Sequence, residues 1–372
     1  MSKAMYIGVD GTAKKAKKMY VGVNETAKKV KKAYIGINGI AKLFFSGGEL
    51  RYYGTATELT TARSYLAGAN TKNHALFAGG TVGSSSYTKE VNAYDKGLTR
   101  SKPTSLSVTR YYLVGTNVGD YVVFAGGYGT GGRSNVVDAY DSNLTISTPT
   151  ALSVARYRFA CASVGNYALF AGGYASGYSK VVDAYNANLT RSTPTALSVA
   201  RQYLAGAHVP NYALFSCGTI SGGHTTAVDA YDKSLTRSTP TASNAAKGNV
   251  AGVSMGNFAL FAGGLNGSTN YSTVEAYDNN LTKIMATALS WARYNIMGAK
   301  VGDYAIFAGG STGNVQSIVD AYDSSLTRST MTGLSIEREY GAGATVGDYA
   351  LIAGGRKNAT TQYNNVDVYV FN

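Results

Sequence analysis

Seven times between residues 76 and 355 the chain writes a short apolar strand that ends in small residues and glycine: LFAGG at 76, VFAGG at 123, LFAGG at 169, LFSCG at 214, LFAGG at 260, IFAGG at 306 and LIAGG at 351. These marks recur every 45 to 47 residues, a period that specifies a repeat architecture before any secondary structure is assigned. Downstream of each mark comes a tyrosine strand, VNAYD, VVDAYD, VVDAYN, AVDAYD, VEAYD, IVDAYD or NVDVYV. Six of these run on into a segment such as LTRSTPTALS (189–198), and each unit opens on a basic residue before small apolar residues of the YLAGA kind. Each unit therefore offers four short β segments. The glycine pair suits a sharp turn at positive φ, and no single unit can bury both of its faces without neighbours. With 45 glycines and 30 tyrosines against 5 prolines, the composition is that of an all-β chain with short strands and tight turns.

Four strands per unit, a period near 46 and Gly-Gly after the second strand resemble the kelch repeat, over residues 49–372. The resemblance implies a seven-bladed β-propeller with the first strand (a) of each blade innermost and the fourth (d) outermost. These blades lack the family's tryptophan in the last strand, and the single tryptophan, Trp291, lies elsewhere. The seventh unit stops after its tyrosine strand, while LRYYGTATELTTARSYLAGA (50–69) aligns with LTRSTPTALSVARQYLAGA (189–207). Leu50 to Thr57 is thus expected to supply strand d of the last blade, a 1+3 closure that removes open sheet edges.

Residues 1–48 form a separate expected domain. KAMYIGVDGTAKKA (3–16), KKMYVGVNETAKKV (17–30) and KKAYIGINGIAKLF (31–44) are copies of one phrase, with ten lysines against Asp10 and Glu25. Tyr6, Tyr20 and Tyr34, the β-branched residues and the turn pairs Asp10-Gly11 and Asn38-Gly39 predict small hairpins, with tyrosine rings over lysine stems, instead of a flexible nucleic-acid-binding arm. Two-stranded hairpins are marginal alone, so the module is expected to dock on a partner or on copies of itself as a homo-oligomer. The phrase resembles N-terminal repeats of phage and prophage tail-associated proteins, which implies attachment to a tail or baseplate component through residues 1–44.

If strands a to d alternate in direction, the bc and da loops share one face and the ab and cd loops the other. The ab loops read VGN, VGD or MGN and the cd loops DKGLT, DSNLT, NANLT, DKSLT, DNNLT and DSSLT, which is plain turn chemistry. The bc loops differ from blade to blade and carry Tyr87, Tyr128, Arg133, Tyr174, Tyr178, His224, Tyr271, Arg356 and Tyr363. Tyr65, Tyr111, Tyr157, Tyr203, Tyr294 and Tyr340 follow the basic residue at the da turns. Such loops suit binding surfaces, because tyrosine adds contact area at low entropic cost. The expected ligand site is therefore a shallow aromatic surface at the mouth of the channel; drift in solvated loops is the competing explanation.

Behind that face, Arg63, Arg110, Arg156, Arg201, Lys247, Arg293 and Arg338 occupy one repeat position, and Asn92, Asp138, Asp183, Asp229, Glu275, Asp320 and Asp367 another. Pairing of the two rings is expected, since buried charges seldom stay unpaired. Arg63, facing Asn92, lacks a ready acid. His74, His208 and His224 fall at different repeat positions, and Cys161 and Cys217 make no Cys-x-x-Cys pair, so no metal site, cofactor or catalytic residue is expected. No stretch approaches the ~20 apolar residues of a membrane span, and no secretory signal opens the chain. The reading is a non-enzymatic phage tail-fibre or receptor-binding protein, made in the host cytoplasm, carried on the virion and recognising a bacterial surface glycan or protein. A kelch scaffold for an intracellular or cell-surface protein is the alternative, and a carbohydrate-active enzyme the third.

Overall fold

A computed structural model describes residues 48–371 in full, and the backbone alone of six strands between residues 6 and 46. The chain divides into two compact units, one of residues 1–51 with 370–372 and one spanning Tyr52–Tyr369.

In the first unit the strands pair as three antiparallel hairpins, Tyr6–Val9 with Thr12–Lys15, Tyr20–Val23 with Thr26–Lys29, and Lys32–Ile37 with Ile40–Ser46. Register places Tyr6 opposite Lys15 and Tyr20 opposite Lys29, whereas Tyr34 faces Leu43. The turn pairs Asp10-Gly11 and Asn38-Gly39, and the expected packing of rings on lysine stems, lie outside the described residues.

Seven four-stranded antiparallel sheets make a seven-bladed β-propeller. The blade-3 sheet is typical, with strands a to d at Ala160–Val164, Tyr167–Ala171, Val182–Asn186 and Arg191–Ser192 in spatial order a-b-c-d. The inner strands touch their neighbours in sequence, and that of blade 7, Ala342–Val346, returns to that of blade 1, Ala67–Asn70. Blade 7 takes its fourth strand from Leu50–Thr55, in the order Ala342–Val346, Tyr349–Ala353, Val366–Phe371, Leu50–Thr55. No helix occurs among the described residues, and so none long and apolar enough to cross a membrane.

The repeated tyrosine fastens one blade to the next. Tyr94, Tyr140, Tyr185, Tyr231, Tyr277, Tyr322 and Tyr369 are fully buried, and each donates its hydroxyl to a carbonyl of the segment entering its own blade, at 2.7–2.8 Å. The cd turns are Asx turns: Asp95 Oδ1 accepts from the backbone N–H of Gly97 and of Thr99, both at 2.8 Å. The leucine of each turn, such as Leu98 at φ 61° or Leu189 at φ 60°, sits in the left-handed region, and its packing against the core between blades offsets that cost. The glycine pair is needed for contact as well as for conformation. A Cβ at Gly263, φ 67°, would lie 2.3 Å from the Arg293 carbonyl of the next blade.

Candidate functional site

The two charged rings meet in the interior. Arg110–Asp138, Arg156–Asp183, Arg201–Asp229, Arg293–Asp320 and Arg338–Asp367 pair at 2.6–2.9 Å with no side-chain exposure. Each arginine also donates to a carbonyl of strand b, for example Arg156 Nη2 to Phe170 O at 2.9 Å. In blade 5 both partners change: the Lys247 amine lies 3.9 Å from Glu275 and donates to Thr273 Oγ1 at 2.7 Å. Arg63 does have an acid. Its guanidinium donates to Asn92 Oδ1 at 3.1 Å and lies 3.5 Å from Glu90, which immediately precedes the strand Val91–Asp95. Hydrogen bonds from Thr61, Lys102 and Thr60 outweigh partial burial and hold the Glu90 carboxyl at about 2. These cations are committed to the scaffold.

Above the rings, the two residues that follow each cation have different roles. The first of them pairs with the bc loop through an isolated bridge, as in Tyr111 with Tyr128, Tyr157 with Tyr174, and Tyr294 with Ser311. The second turns into the axis of the ring in the left-handed conformation: Tyr65, Tyr112, Arg158, Tyr203, Asn249, Asn295 and Tyr340 all have φ between 52° and 57°. Bulky residues avoid this region, and its repetition here is upheld by backbone bonds between blades. Tyr65 N donates to Tyr340 O at 2.8 Å, Tyr112 N to Tyr65 O at 3.1 Å, Tyr203 N to Arg158 O at 2.9 Å and Asn249 N to Tyr203 O at 3.1 Å.

The tyrosines anticipated at the da turns therefore belong to two circles. Tyr65, Tyr203 and Tyr340 are axial; Tyr111, Tyr157 and Tyr294 lie one residue earlier, against the bc loops. Tyr112, Arg158, Asn249 and Asn295 complete the axial circle and were missed, because tyrosine identity was followed in place of the count from the cation. The axial rings pack closely on one another. Tyr65 packs against Tyr340 and Tyr112 with centroids 4.2 and 4.3 Å away, and the Arg356 guanidinium lies 4.7 Å from both the Tyr65 and Tyr340 rings. Arg356 also faces Glu339 at 3.5 Å. Outside this, Tyr87 stacks on Tyr111 at 4.8 Å, Tyr128 lies between Tyr111 and Tyr157, and Tyr174 between Tyr157 and Tyr178.

Other anticipated residues stand apart from this aromatic arc. Tyr271 has the Lys247 amine 5.7 Å from its ring centre. His224 occupies the space above Gly248, where an added Cβ would meet its ring at 3.0 Å. Arg133 is exposed opposite Tyr128, and Tyr363 is half-buried at its bridge to Gly355.

Where the axial circle changes from tyrosine to asparagine, it opens. A recess of ≈ 190 Å³ is lined by Tyr112, Arg158, Tyr203, Asn249 and Asn295 over a floor that includes Phe159. Arg158 lies 4.7 Å from the Tyr157 and Tyr203 ring centres and 5.1 Å from that of Tyr112. Burial raises the pKa of Tyr112 and Tyr203, so both keep their hydroxyl protons. Burial disfavours charge on Arg158, but its tyrosine neighbours, Tyr203 first, more than offset it, and Arg158 remains a cation. The recess thus presents aromatic faces, hydroxyls, amides and one guanidinium.

A larger cavity of ≈ 670 Å³ lies in the channel toward the ab loops, a face the sequence reads as plain turns. Glycines of the inner strands form its waist, with Cys161 in place of one, and Asn70, Asn117, His208, Ser254, Lys300 and Thr345 line it. Ser254 Oγ accepts the His208 backbone N–H at 2.8 Å and shares a second hydrogen bond with His208 Nδ1 at 2.9 Å. Among the described residues no cluster of His, Cys, Asp and Glu could hold a metal ion. The sequence matches no protein-family model and no curated protein.

A closed propeller with this face is a ligand- or protein-binding scaffold.

Proposed function

We propose that the protein is a non-catalytic receptor-binding protein of a phage or prophage tail, which grips a bacterial surface glycan at the bc/da face and attaches to its particle through residues 1–44. The observation that carries the binding role is the recess walled by Tyr112 and Tyr203 and edged by Asn249 and Asn295. Aromatic faces pack on the apolar faces of pyranose rings, and amides bind ring hydroxyls. A space of ≈ 190 Å³ suits one sugar residue, not a whole chain. Affinity per site is then weak, and several heads on one particle supply avidity. The attachment role rests on the lysine-rich phrase and its resemblance to tail-protein repeats.

A protein receptor is the second reading, favoured by an apolar rim on the da loops where Trp291 is 57% exposed and Val108 39%. Binding of labelled protein to bacterial envelopes treated with periodate or with protease separates the two. Loss of binding after periodate alone supports the glycan, and loss after protease alone refutes it. A wild-type chain that binds no envelope in a broad panel removes the receptor-binding role.

A further inference from the structure

We infer that the recess is built for an acidic sugar, with the Arg158 guanidinium as the anchor of its carboxylate. This rests on the glycan reading above and names the class of sugar. The scaffold otherwise matches its buried cations with acids: Arg63 with Glu90, Lys247 with Glu275, and the five remaining ring arginines with aspartates at 2.6–2.9 Å. At the same face Arg356 has Glu339 and Lys357 has Glu337. Arg158 is half-buried, and none of the described carboxylates pairs with it. Three tyrosine rings surround its guanidinium instead, and its side-chain hydrogen bond is to one of them, Tyr112.

A guanidinium left without an acid in a partly dehydrated recess is an unmet demand for an oxyanion. A guanidinium is also the group whose paired N–H donors suit the two oxygens of a carboxylate. Glu339, which accepts from Asn295 Nδ2 at 2.8 Å at the edge of the recess, has its charge matched by Arg356 at 3.5 Å, and no carboxylate lines the recess itself. The other polar groups, the tyrosine hydroxyls and the amides of Asn249 and Asn295, are neutral, so the site supplies one positive charge. That matches a monovalent carboxylate better than a divalent phosphate. The apolar floor, with Phe159 and Leu204, and the Tyr112 and Tyr203 rings match the sugar ring that bears it.

Isothermal titration calorimetry on the full chain tests this with four probes: glucuronate, N-acetylneuraminate, the methyl ester of whichever acid binds, and inorganic phosphate. The acid should bind about tenfold or more tightly than its ester, since a charge-assisted pair is at stake, and phosphate should compete weakly. Arg158→Met should erase the preference of acid over ester. Asn249→Tyr, which writes the residue of other blades into the same left-handed position, should fill the recess and block acid and ester alike while the chain stays folded. No binding of either acid, equal binding of acid and ester, tighter binding of phosphate than of the acid, or a preference that survives Arg158→Met would overturn the proposal. Envelope binding decides the broader reading separately: neutral-glycan binding without acid preference leaves it standing, whereas periodate-sensitive binding untouched by Asn249→Tyr moves the glycan site off this recess.

Discussion

The buried Arg156–Asp183 pair offers a quantitative test of how the blades are held. Both side chains have no exposure, and Nη1 meets Oδ2 at 2.7 Å. Asp183→Asn keeps an amide oxygen but removes the negative charge facing a buried guanidinium, whose other acceptors are the Phe170 and Val154 carbonyls at 2.9 and 3.4 Å, and should cost ~3–5 kcal/mol. Arg156→Met leaves a carboxylate that keeps the Ser153 N–H at 3.1 Å and Arg191 at 3.9 Å, so its loss falls at the lower end, ~3 kcal/mol. With both replaced no charge is stranded, and the double variant should recover ~2 kcal/mol relative to the sum. Lys247–Glu275 is the internal control. Its charges are 3.9 Å apart, and Glu275 accepts from Ser243 Oγ and Asn244 N at 2.6 Å each. Each partner keeps bonds of its own, so Lys247→Met with Glu275→Gln should couple by ~1 kcal/mol or less. Urea denaturation followed by circular dichroism gives the free energies of the wild type, the four single variants and the two double variants. Losses at Arg156 and Asp183 that add within ~0.5 kcal/mol, or coupling at Lys247–Glu275 equal to theirs, would refute the argument that the stranded charge sets the cost.

Because Leu50–Thr55 completes the seventh blade, a chain beginning at Ser64 should expose sheet edge and aggregate or melt early, while one beginning at Ser46 should fold; equal melting temperatures would sink the closing role. Burial, with help from Lys300, pulls His208 from the ordinary 6.5 down to about 4. The unfolded chain takes up that proton first, so stability is full above pH ~6.5 and falls by up to ~3 kcal/mol as pH drops toward 4. His208→Asn should flatten that stretch of the curve, and an unchanged curve would show that another group titrates. Deleting residues 1–44 should leave the propeller's melting temperature intact and abolish assembly onto the particle or into oligomers, and a shortened chain that still assembles normally removes the docking role.

Much of the architecture was legible because each repeated residue answers one physical need. A glycine pair marks a turn pressed against the next blade, a buried tyrosine marks a hydroxyl tied to the connection that enters its own blade, and Leu50 to Thr57 could be placed because it aligns with the end of a blade. The site was less legible. Tyr65 and Tyr111 look equivalent as tyrosines after a cation, yet they stand two and one residues from Arg63 and Arg110, and one residue changes the direction of a side chain completely. Nothing in local propensity announces that Tyr112 or Arg158 adopts φ near 55°; contacts between blades impose it. Counting from the cation would have separated the circles. Glu90 was missed for a related reason, since the search for an acid stopped at the ring position and did not step two residues back along the chain. The channel position shared by Asn70, Asn117, His208, Ser254, Lys300 and Thr345 varies as freely as the bc loops, but it lies within strands whose other residues are mostly Ala, Gly and Val.

The place where the recess opens follows from one connection. Residues 243–250 join blades 4 and 5, and almost every position in them departs from the repeat: Ser243 stands for leucine, Lys247 for arginine, Gly248 and Asn249 for larger residues, and Val250 for Leu, Phe or Ile. The changes beneath the surface compensate one another. Cys217, at φ 59° where the other blades have glycine, is fully buried beside the smaller Ser243 and Val250, so volume added at one position is volume removed at the next. Glu275 is longer than aspartate where Lys247 lacks a guanidinium fork. At the surface nothing compensates Asn249 or, in the next blade, Asn295. A circle of tyrosines stacked edge to edge closes the axis; two short amides in succession cannot reach across it. The gap that remains lies beside Arg158, so the break in symmetry that opens the recess and a guanidinium that none of the described carboxylates pairs with are features of the same arc of the ring.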